Sequence, residues 1–594
     1  MNERQLRRFI EAVREGRLPR RDFLGLMSGC GLTAPMASML LMNAGVAHSQ
    51  AARPQDPAMR VRGGTLKLVF WQGPTLLNPH FSGGLKDDEA TRIFYEPLAA
   101  WDNEANLVPI LAASIPSLAN GGLAPDGRSV TWKLKQGVTW HDGEPFTADD
   151  VVFNWEFARD PATAAATAGF FRNVTVQKVD SHTLRVVFAQ AAPFWPAAVA
   201  TSMLIPRHRF LNYMGAKSRD APANLHPIGT GPYRLVAFKP GDMVRGERNP
   251  RYHIAGRPWF DAIEMKGGGD AASAARAVIQ TGDYDYAWNL LVEDEVLARM
   301  EGGGKGKVSA MPSGHIELIM LNASDPWTEV QGERASAQSH HFAFSDAAVR
   351  RAVGLLVDRQ AIAKYIFGRA GVPTANYLNG PPRFRPPARK MELNVGKANA
   401  LLDAAGWTRG ADGIREKSGR RLRLVFQTSV NGPRQKVQAI VKRACQKAGI
   451  EIELKSVTPS VFFSANVGDP DTNAKFWCDM QMYQIAMVEP DPDSMMRRFL
   501  SAEVASKANK WQGANLSRWR SEAFDRLYEL ASRELDPLRR AALFIQMNEL
   551  VVSAGHIIPL VNRMRVQAHA HQLVPKLTSW DLDLAFLHEW YRVA

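Results

Sequence analysis

Strand-like patterns of apolar residues recur through the chain after residue 60. They are short runs in which β-branched and aromatic side chains alternate with polar ones, and they lie at residues 65–70, 132–135, 184–188 and 450–454. Such alternation matches the two-residue period of a β-strand. The pattern predicts a strand at each of these places.

Helix-like patterns lie between the predicted strands. Thr147 is a typical N-cap residue, and Asp149 and Asp150 suit the positive end of the helix dipole that follows it. Apolar residues at helical spacing follow Asp346, and a long helical stretch at 527–552 is predicted to split at Asp536-Pro537. Strands and helices in alternation predict a mixed α/β chain.

The first fifty residues have the pattern of an export signal. Arginines precede an uncharged stretch that begins at Phe23, and small residues follow at 47–52. These are the three regions of a signal peptide. The order Arg20-Arg21-x-Phe23-Leu24 resembles the twin-arginine signal, whose cargo folds before export. We predict a cleaved signal peptide over residues 1–51, the twin-arginine export machinery as a partner, and a periplasmic location.

Two other interpretations of this segment are less favoured. Residues 23–47 are uncharged and long enough to remain as an uncleaved membrane anchor, but their glycines and Asn43 weaken that interpretation. The stretch 27–30 partly resembles a lipoprotein box ending at Cys30, with Met27 where leucine is usual. After this segment no stretch reaches 18 apolar residues.

The charge balance is basic. The chain has 73 Lys and Arg against 59 Asp and Glu, a formal net charge of +14. Loss of residues 1–51 removes seven arginines and four acidic residues, which leaves +11. The basic residues are scattered, with small clusters at 383–389 and 420–423, and no nucleic-acid-binding module accompanies them. We expect no nucleic-acid partner and attribute the charge to solubility, attraction to the anionic membrane surface, or an acidic ligand.

Motifs of the common enzyme classes are absent from the sequence. The glycine cluster at 302–306 lacks the first glycine of a phosphate-binding loop, and Val308 stands where Ser or Thr would hold magnesium. His340-His341 lacks a spaced third metal ligand. Cys445 and Cys478 are predicted to be free buried thiols rather than a disulfide. We expect no catalytic activity, no cofactor and no metal site.

Several segments, in order, resemble family 5 of the ABC-transporter solute-binding proteins, the peptide, nickel and opine type. The longest is WKLKQGVTWHDGEPFTADDVVFN, which ends at Asn154. Others are GTGPYRL at 229–235, NPRY at 249–252, the stretch 346–361 and DPD at 491–493. The resemblance extends over the whole chain after residue 60.

The resemblance implies a periplasmic binding protein type II-like α/β fold with two lobes, a hinge and three domains. Domain I is discontinuous, at 60–98, 228–320 and 562–594. Domain II, at 99–227, is inserted into it, and domain III spans 321–561. The ligand of such proteins lies between domains I and III, and the hinge closes the lobes around it. We expect a monomer that passes its ligand to a membrane permease.

The resemblance also implies where ligand is held. The expected contacts are Trp71, Gln72, Trp288, Asn289, Tyr483, Gln484, Glu489, Asn515 and Trp519. Core packing is the alternative for Trp71 and Trp288. The Asp that binds the peptide amino group in relatives aligns with Val488, so the adjacent Glu489 is expected to replace it. Arg383 and Arg385 are candidates for a ligand carboxylate or phosphate, with a surface salt bridge as an equal alternative.

The resulting hypothesis is an exported binding protein for a peptide or a peptide-like solute. A different solute, such as an opine, a sugar phosphate or a metal chelate, is the first alternative. A periplasmic chaperone or sensor with the same fold is the second.

Overall fold

The computed structural model describes residues 60–594 apart from 83, 172–173, 198, 291, 464–467, 488 and 512. In the first 59 residues it describes only 9–13, 17–19, 22–23 and 26–27. The predicted twin-arginine pair, the cleavage zone and Cys30 lie outside the described residues. Among the residues described, no helix is both long and apolar enough to cross a membrane.

The strands are numbered in chain order. They are β1 Arg60–Val61, β2 Thr65–Phe70, β3 Ala99–Trp101, β4 Leu107–Pro109, β5 Ser129–Lys133, β6 Val174–Asp180, β7 Thr183–Phe188, β8 Tyr233–Lys239, β9 Met243–Arg248, β10 Ala262–Gly267, β11 Tyr286–Ala287, β12 Gly306–Met311, β13 Ile316–Leu321, β14 Glu329–Val330, β15 Glu333–Arg334, β16 Gly371–Pro373, β17 Thr408–Arg409, β18 Arg415–Lys417, β19 Arg420–Arg421, β20 Arg423–Ser429, β21 Glu451–Val457, β22 Met480–Ile485, β23 Ile557–Arg563, β24 Arg565–Ala570, β25 Leu573–Val574 and β26 Tyr591–Val593.

The α-helices are numbered in the same way. They are α1 Leu85–Thr91, α2 Ala148–Arg159, α3 Arg207–Phe210, α4 Ala271–Ile279, α5 Asp294–Glu301, α6 Ala347–Leu355, α7 Arg359–Ile362, α8 Val395–Ala404, α9 Gly432–Lys447, α10 Pro459–Phe462, α11 Asp493–Met496, α12 Glu522–Ala531 and α13 Pro537–Ala554.

Local capping signals set the helix starts that the sequence predicts. The Thr147 side chain accepts a backbone hydrogen bond at the start of α2, and the Asp150 carboxylate accepts one from the Thr147 backbone amide, which completes a capping box. Asp346 caps α6 through the Ala348 amide. Asp536 caps α13, so the predicted split between α12 and α13 is confirmed.

Two mixed sheets form the centres of two lobes. The first has the order β12-β24-β11-β2-β10-β9-β8, and the second has the order β16-β23-β13-β22-β20-β21. Strand β2 runs parallel to β10 and β11, and β20 runs parallel to β21 and β22. We call the units built on these sheets lobe 1 and lobe 2.

A smaller unit belongs to lobe 1. The segment between β2 and β8 forms a three-stranded sheet, β5-β7-β6, and the β3-β4 hairpin. Trp132 on β5 and Val186 on β7 share one buried core with Leu68 on β2. The inserted segment therefore packs against the first sheet over a common hydrophobic interior.

The chain crosses between the lobes twice, and each crossing directly joins a strand of one sheet to a strand of the other. Strand β12 pairs with β24 in lobe 1, and β13 pairs with β23 in lobe 2. The crossings are therefore residues 312–315 and Met564, whereas the sequence places domain boundaries at 320 and 561. The crossings differ from these boundaries because a strand of one sheet is followed almost directly by a strand of the other. The apolar pattern therefore has no break that would mark the boundary.

Candidate functional site

The parallel strands of both sheets end at the crossings between the lobes. In lobe 1, Ala287 of β11 pairs with Val69 of β2 and with Ala568 of β24, and β24 begins beside the crossing at Met564. In lobe 2, Ile316, the first strand residue after the crossing, pairs with the last residue of β22, Ile485. Ligands of open α/β sheets bind outside the carboxyl ends of the parallel strands. The space between the lobes is therefore the candidate site.

Lobe 1 offers a half-buried indole at this edge. Trp71 follows β2, and its Nε1 donates a hydrogen bond to the carbonyl of Asn289 at 2.9 Å. Asn289 has a positive φ of 52°, which is uncommon for a residue other than glycine. Gln72, beside Trp71, is exposed. The structure thus brings together three of the four predicted lobe 1 residues.

Trp288 has a different environment. Its side chain is 4% exposed, and it stacks on Phe70 with ring centroids 5.0 Å apart and an angle of 4° between the planes. The stacked pair belongs to the core of lobe 1. In the structure Trp288 therefore packs in the core, which was the alternative to ligand binding.

Lobe 2 contributes an aromatic group at the end of β22. Tyr483 is buried, and its hydroxyl has no hydrogen-bond partner among the described residues. Its ring lies edge-on to Phe462 and Phe463, at 6.0 and 6.3 Å, and Phe463 is 50% exposed. Burial raises the pKa of Tyr483 to about 12, so the hydroxyl remains a donor. Gln484, the next residue, is half-buried.

Glu489 follows on the loop after β22. It is half-buried, and no described residue forms a salt bridge with it. Burial, reinforced by the negative charges of Asp491 and Asp493, raises the pKa of Glu489 to about 7. Val488, the position that the resemblance predicts to match an amine-binding Asp, lies outside the described residues. Within the part of the chain that the structure describes, Glu489 is thus a carboxylate without a paired cation.

The two aspartates after Glu489 hold the loop in place. Both carboxylate oxygens of Asp491 accept from the buried Arg540 of α13, and one also accepts from the backbone amide of Asp493 at 3.0 Å. Asp493 is the first residue of α11. The Asp491 carboxylate is therefore committed to the fold.

A cavity of about 360 Å³ lies where the inserted segment of lobe 1 meets lobe 2. Its walls include Trp101, Phe194, Trp195, Arg383, Asp491 and Arg540. The sequence did not indicate the aromatic wall. Trp101 ends β3, Phe194 and Trp195 lie in the segment after β7, and neither place has a recognisable motif.

Of the two predicted arginines, Arg383 reaches this cavity. Its Nη2 donates to the carbonyl of Pro490 at 3.2 Å, next to Glu489. Burial lowers the pKa of Arg383 from its ordinary value, which reflects the loss of water around the guanidinium. Arg385 is exposed and donates to the carbonyl of Asn379 at 3.0 Å.

Asn515 and Trp519 form part of a packed loop. The amide nitrogen of Asn515 donates to the carbonyls of Leu500 and Trp519, and its oxygen accepts from the Ser517 hydroxyl and the Arg518 amide. Asn515 therefore has no hydrogen-bonding group left for a ligand. Trp519 is half-buried and packs edge-on to aromatic rings of the lobe 2 core.

The crossing strands carry a cluster that sequence reasoning missed. Glu317 is 1% exposed, and its carboxylate binds Arg434 at 2.8 Å and lies 3.9 Å from Arg563. Nearby, the Nδ1 of His315 accepts from the backbone amide of Met487 at 3.1 Å. Burial lowers the pKa of His315 to about 4, so the ring is neutral and able to accept. The hinge is thereby fastened to the strand end that leads to Glu489.

Comparison with known proteins identifies the family. The family model described as bacterial extracellular solute-binding proteins, family 5 Middle, matches residues 106–507. The chain belongs to this family. The predicted family and the predicted α/β fold are both confirmed.

Relatives cover most of the chain. The oligopeptide-binding protein AppA of Bacillus subtilis is 29% identical over 422 residues, 69% of this chain and 71% of that protein. Protein XP55 of Streptomyces lividans is 26% identical over 485 residues, 81% of this chain and 80% of that protein.

Solved structures share the fold. The ABC-transporter substrate-binding protein CtaP from Listeria monocytogenes has a TM-score of 0.72 at 21% identity, covering 90% of this chain and all of that one. AppA from Bacillus subtilis with a nonapeptide has a TM-score of 0.66 at 22% identity over 90% and 100% of the two chains. NikZ from Campylobacter jejuni with Ni(L-His) has a TM-score of 0.67 at 20% identity over 89% and 99%.

Membership of family 5 shows the class of protein to which this chain belongs. Family 5 proteins are extracellular solute-binding proteins, so this chain is a binding protein rather than an enzyme. Binding requires groups from both lobes at one place, and the strand ends of both sheets provide that arrangement.

Proposed function

We propose that this family 5 protein captures a peptide or peptide-like solute between its lobes and delivers it to the permease of an ABC transporter. The observation that carries the proposal is a pair of opposite charges beside Pro490: Glu489 precedes it in the sequence, and Arg383 donates to its carbonyl. Among the described residues no salt bridge involves the carboxylate of Glu489, and the guanidinium of Arg383 donates to the Pro490 carbonyl and lies over the Phe384 ring rather than pairing with a carboxylate. A peptide presents the two complementary charges at its termini. The relative named as an oligopeptide-binding protein supports this choice of solute.

The remaining contacts suit a solute of variable sequence. Trp71 supplies aromatic surface with few rotatable bonds, and the hydroxyl of the buried Tyr483, which has no partner among the described residues, supplies a donor. Gln72, Asn289 and Gln484 supply amide groups that donate or accept, either directly or through water. We assign Glu489 to the ligand amino group and Arg383 to a ligand carboxylate. Arg385 and Trp519 are assigned to the rim of the site.

Ligand discovery tests this proposal. The mature protein is purified and denatured, and the released solutes are analysed by mass spectrometry. A peptide library is then screened by thermal shift, because a ligand that binds only the folded state raises its melting temperature. We expect peptides in the released fraction and stabilisation by some members of the library. Stabilisation by an opine, a sugar phosphate or a nickel chelate, with none by peptides, would overturn the peptide assignment, and a sensor or chaperone role would then be open.

We propose export through a cleaved twin-arginine signal to the periplasm, where the protein acts as a monomer. Replacing Arg20 and Arg21 together with lysine is expected to leave the full-length precursor in the cytoplasm. The matched control replaces Arg7 and Arg8 with lysine and keeps export. Unchanged periplasmic accumulation of the first variant would contradict the twin-arginine route.

A further inference from the structure

A second pocket lies on lobe 2, away from the cleft. Its volume is about 500 Å³, and Gly555 and the strand residues Ile557, Ile558 and Pro559 line it. Ile557 pairs with Met320, whereas the crossing end of the same strand pairs near Ile316. The pocket is therefore at the end of β23 remote from the hinge, where α13 also ends.

The pocket is strongly basic. One carboxylate, Glu392, lines it, and Glu549 outside it pairs with one of the arginines. The cationic side chains of the lining are Arg350, Arg351, Arg359, Arg389, Lys390 and Lys397. Even after both carboxylates are counted, four positive charges remain. They are contributed by α6, α7, α8 and the loop before α8, so that charges distant in the sequence meet here.

Arg359 distinguishes this pocket from an ordinary basic surface. It is only 9% exposed, and its Nε and Nη1 donate to the carbonyls of Pro559 and Gly354 at 2.7 and 3.3 Å. In the described part of the chain no carboxylate forms a salt bridge with it. Burial lowers the pKa of Arg359 to about 10. A buried guanidinium without a counter-charge is costly, and the carbonyls orient it without neutralising it.

Arg350 repeats this arrangement on the same wall. Its Nε donates to the carbonyl of Ala554 at 2.7 Å, and Nη1 donates to the carbonyls of Phe344 and Ser345. It too has no salt bridge within the described residues. Two guanidiniums are thus positioned by backbone carbonyls, and guanidinium geometry matches the oxygens of a phosphate.

The outer residues of the pocket behave differently. Lys390 and Lys397 are largely exposed and share Glu392 at 3.9 and 3.4 Å. Arg351 is exposed and has no ion pair among the described residues. Solvated lysines by themselves are typical of any protein surface. Here they surround a floor made of the buried Arg359 and the half-buried Arg350, in a volume typical of small-molecule sites.

We propose that this pocket binds a compact anion carrying one or more phosphate groups, at a site separate from the solute cleft. The shared chemistry is the phosphate group, and its source is either a free phosphorylated solute or the headgroup of an anionic phospholipid. The site does not depend on which solute occupies the cleft.

Calorimetric titration of the mature protein with inorganic pyrophosphate at low ionic strength tests the proposal. We expect binding at one site that weakens steeply as salt is added, because the rim charges are exposed to screening. The double variant R351Q/K390Q removes two exposed cations and is expected to weaken binding by about tenfold or more. The control K442Q/R443Q removes one lysine and one arginine from the exposed face of α9 and is expected to leave binding unchanged.

A vesicle flotation assay separates the two sources. Vesicles containing phosphatidylglycerol are compared with vesicles of phosphatidylcholine alone, using the same two double variants. Flotation with phosphatidylglycerol that is lost in R351Q/K390Q assigns the site to a lipid headgroup, and pyrophosphate binding without flotation assigns it to a free solute. The proposal is overturned if neither probe binds, or if both double variants bind both probes as the wild type does. R359K keeps the positive charge of the pocket floor but removes the guanidinium geometry. A loss of pyrophosphate affinity in R359K therefore further supports the site.

Discussion

The pH dependence of ligand binding tests the proposed role of Glu489 most directly. Burial and the neighbouring aspartates raise the pKa of this carboxyl to about 7, so it takes up a proton as the pH falls below neutrality. Only the ionised form balances the charge of a ligand ammonium group and accepts a charge-assisted hydrogen bond from it. Affinity for a peptide with a free amino terminus is therefore expected to rise with pH up to about 7.

The size of the effect follows from the titration of this one group. With a pKa of about 7, the ionised fraction is about 3% at pH 5.5 and about 50% at pH 7. The dissociation constant should fall by about 16-fold over this range, which corresponds to about 1.6 kcal/mol. An α-amino group with a pKa of about 7.7–8.0 stays largely protonated throughout. His315 does not contribute, because its pKa is lowered to about 4.

The measurement is calorimetric titration of one peptide at several pH values, with its N-acetylated form as the uncharged comparison. E489Q is expected to bind the free-amine peptide weakly and with little pH dependence. Glu503, whose half-buried carboxylate pairs with Arg497, provides the matched control E503Q, which should bind the peptide with the pH dependence of the wild type. Equal pH profiles in wild type and E489Q, or equal affinity for the acetylated peptide, would refute the assignment of Glu489.

Three further predictions concern packing and charge. Trp288→Ala should lower the free energy of unfolding by about 3–5 kcal/mol in urea denaturation, while Trp71→Ala should mainly weaken ligand binding; equal stability losses would contradict the contrast. Glu317→Gln leaves its arginines without a counter-charge and should cost about 3–5 kcal/mol of stability, and an unchanged denaturation midpoint would argue against that cluster. Cys445 and Cys478 are free and buried, and burial raises the pKa of both thiols, so neither should react with a thiol reagent until the protein unfolds.

Features governed by neighbouring residues could be predicted from the sequence. The capping box of Thr147 and Asp150 and the helix start at Asp536 depend on side chains two or three residues away, and the structure has them as expected. The overall topology needed more than periodicity. The family resemblance implied two lobes and three domains, whereas the order of the strands in each sheet is known only from the structure, because alternation shows where strands are but not which strands pair.

Features that depend on distant residues could not be predicted. Trp71 and Trp288 each follow a short strand, yet one lies at the cleft edge and the other stacks in the core, a choice made by the pairing of β2 with β11. The salt bridges of Glu317 join residues more than a hundred positions apart. Asn515 is a polar residue in a loop, and only the structure shows that its own loop satisfies it completely.

The fold also shows where the excess positive charge of the chain is concentrated. Along the sequence the cations are scattered, and the small cluster at 383–389 is the nearest sign of a concentration. In the folded chain, arginines from α6 and from the start of α7 meet lysines from α8 and its preceding loop in one pocket. A net charge therefore gives little information about partners until the fold shows which cations lack carboxylates.

The hinge contacts indicate how occupancy of the cleft is linked to closure. His315 binds Met487, and Glu317 binds Arg434 and lies 3.9 Å from Arg563, so the lobe 2 end of each crossing is fixed to the sheet that carries Glu489. Bending is then confined to the few residues between β12 and His315 and to Met564, and the Glu489 loop moves with lobe 2 as one body. Trp71 stays with lobe 1. A solute that contacts both groups at once binds the closed arrangement more tightly than the open one, and that difference in affinity is what shifts the population toward closure.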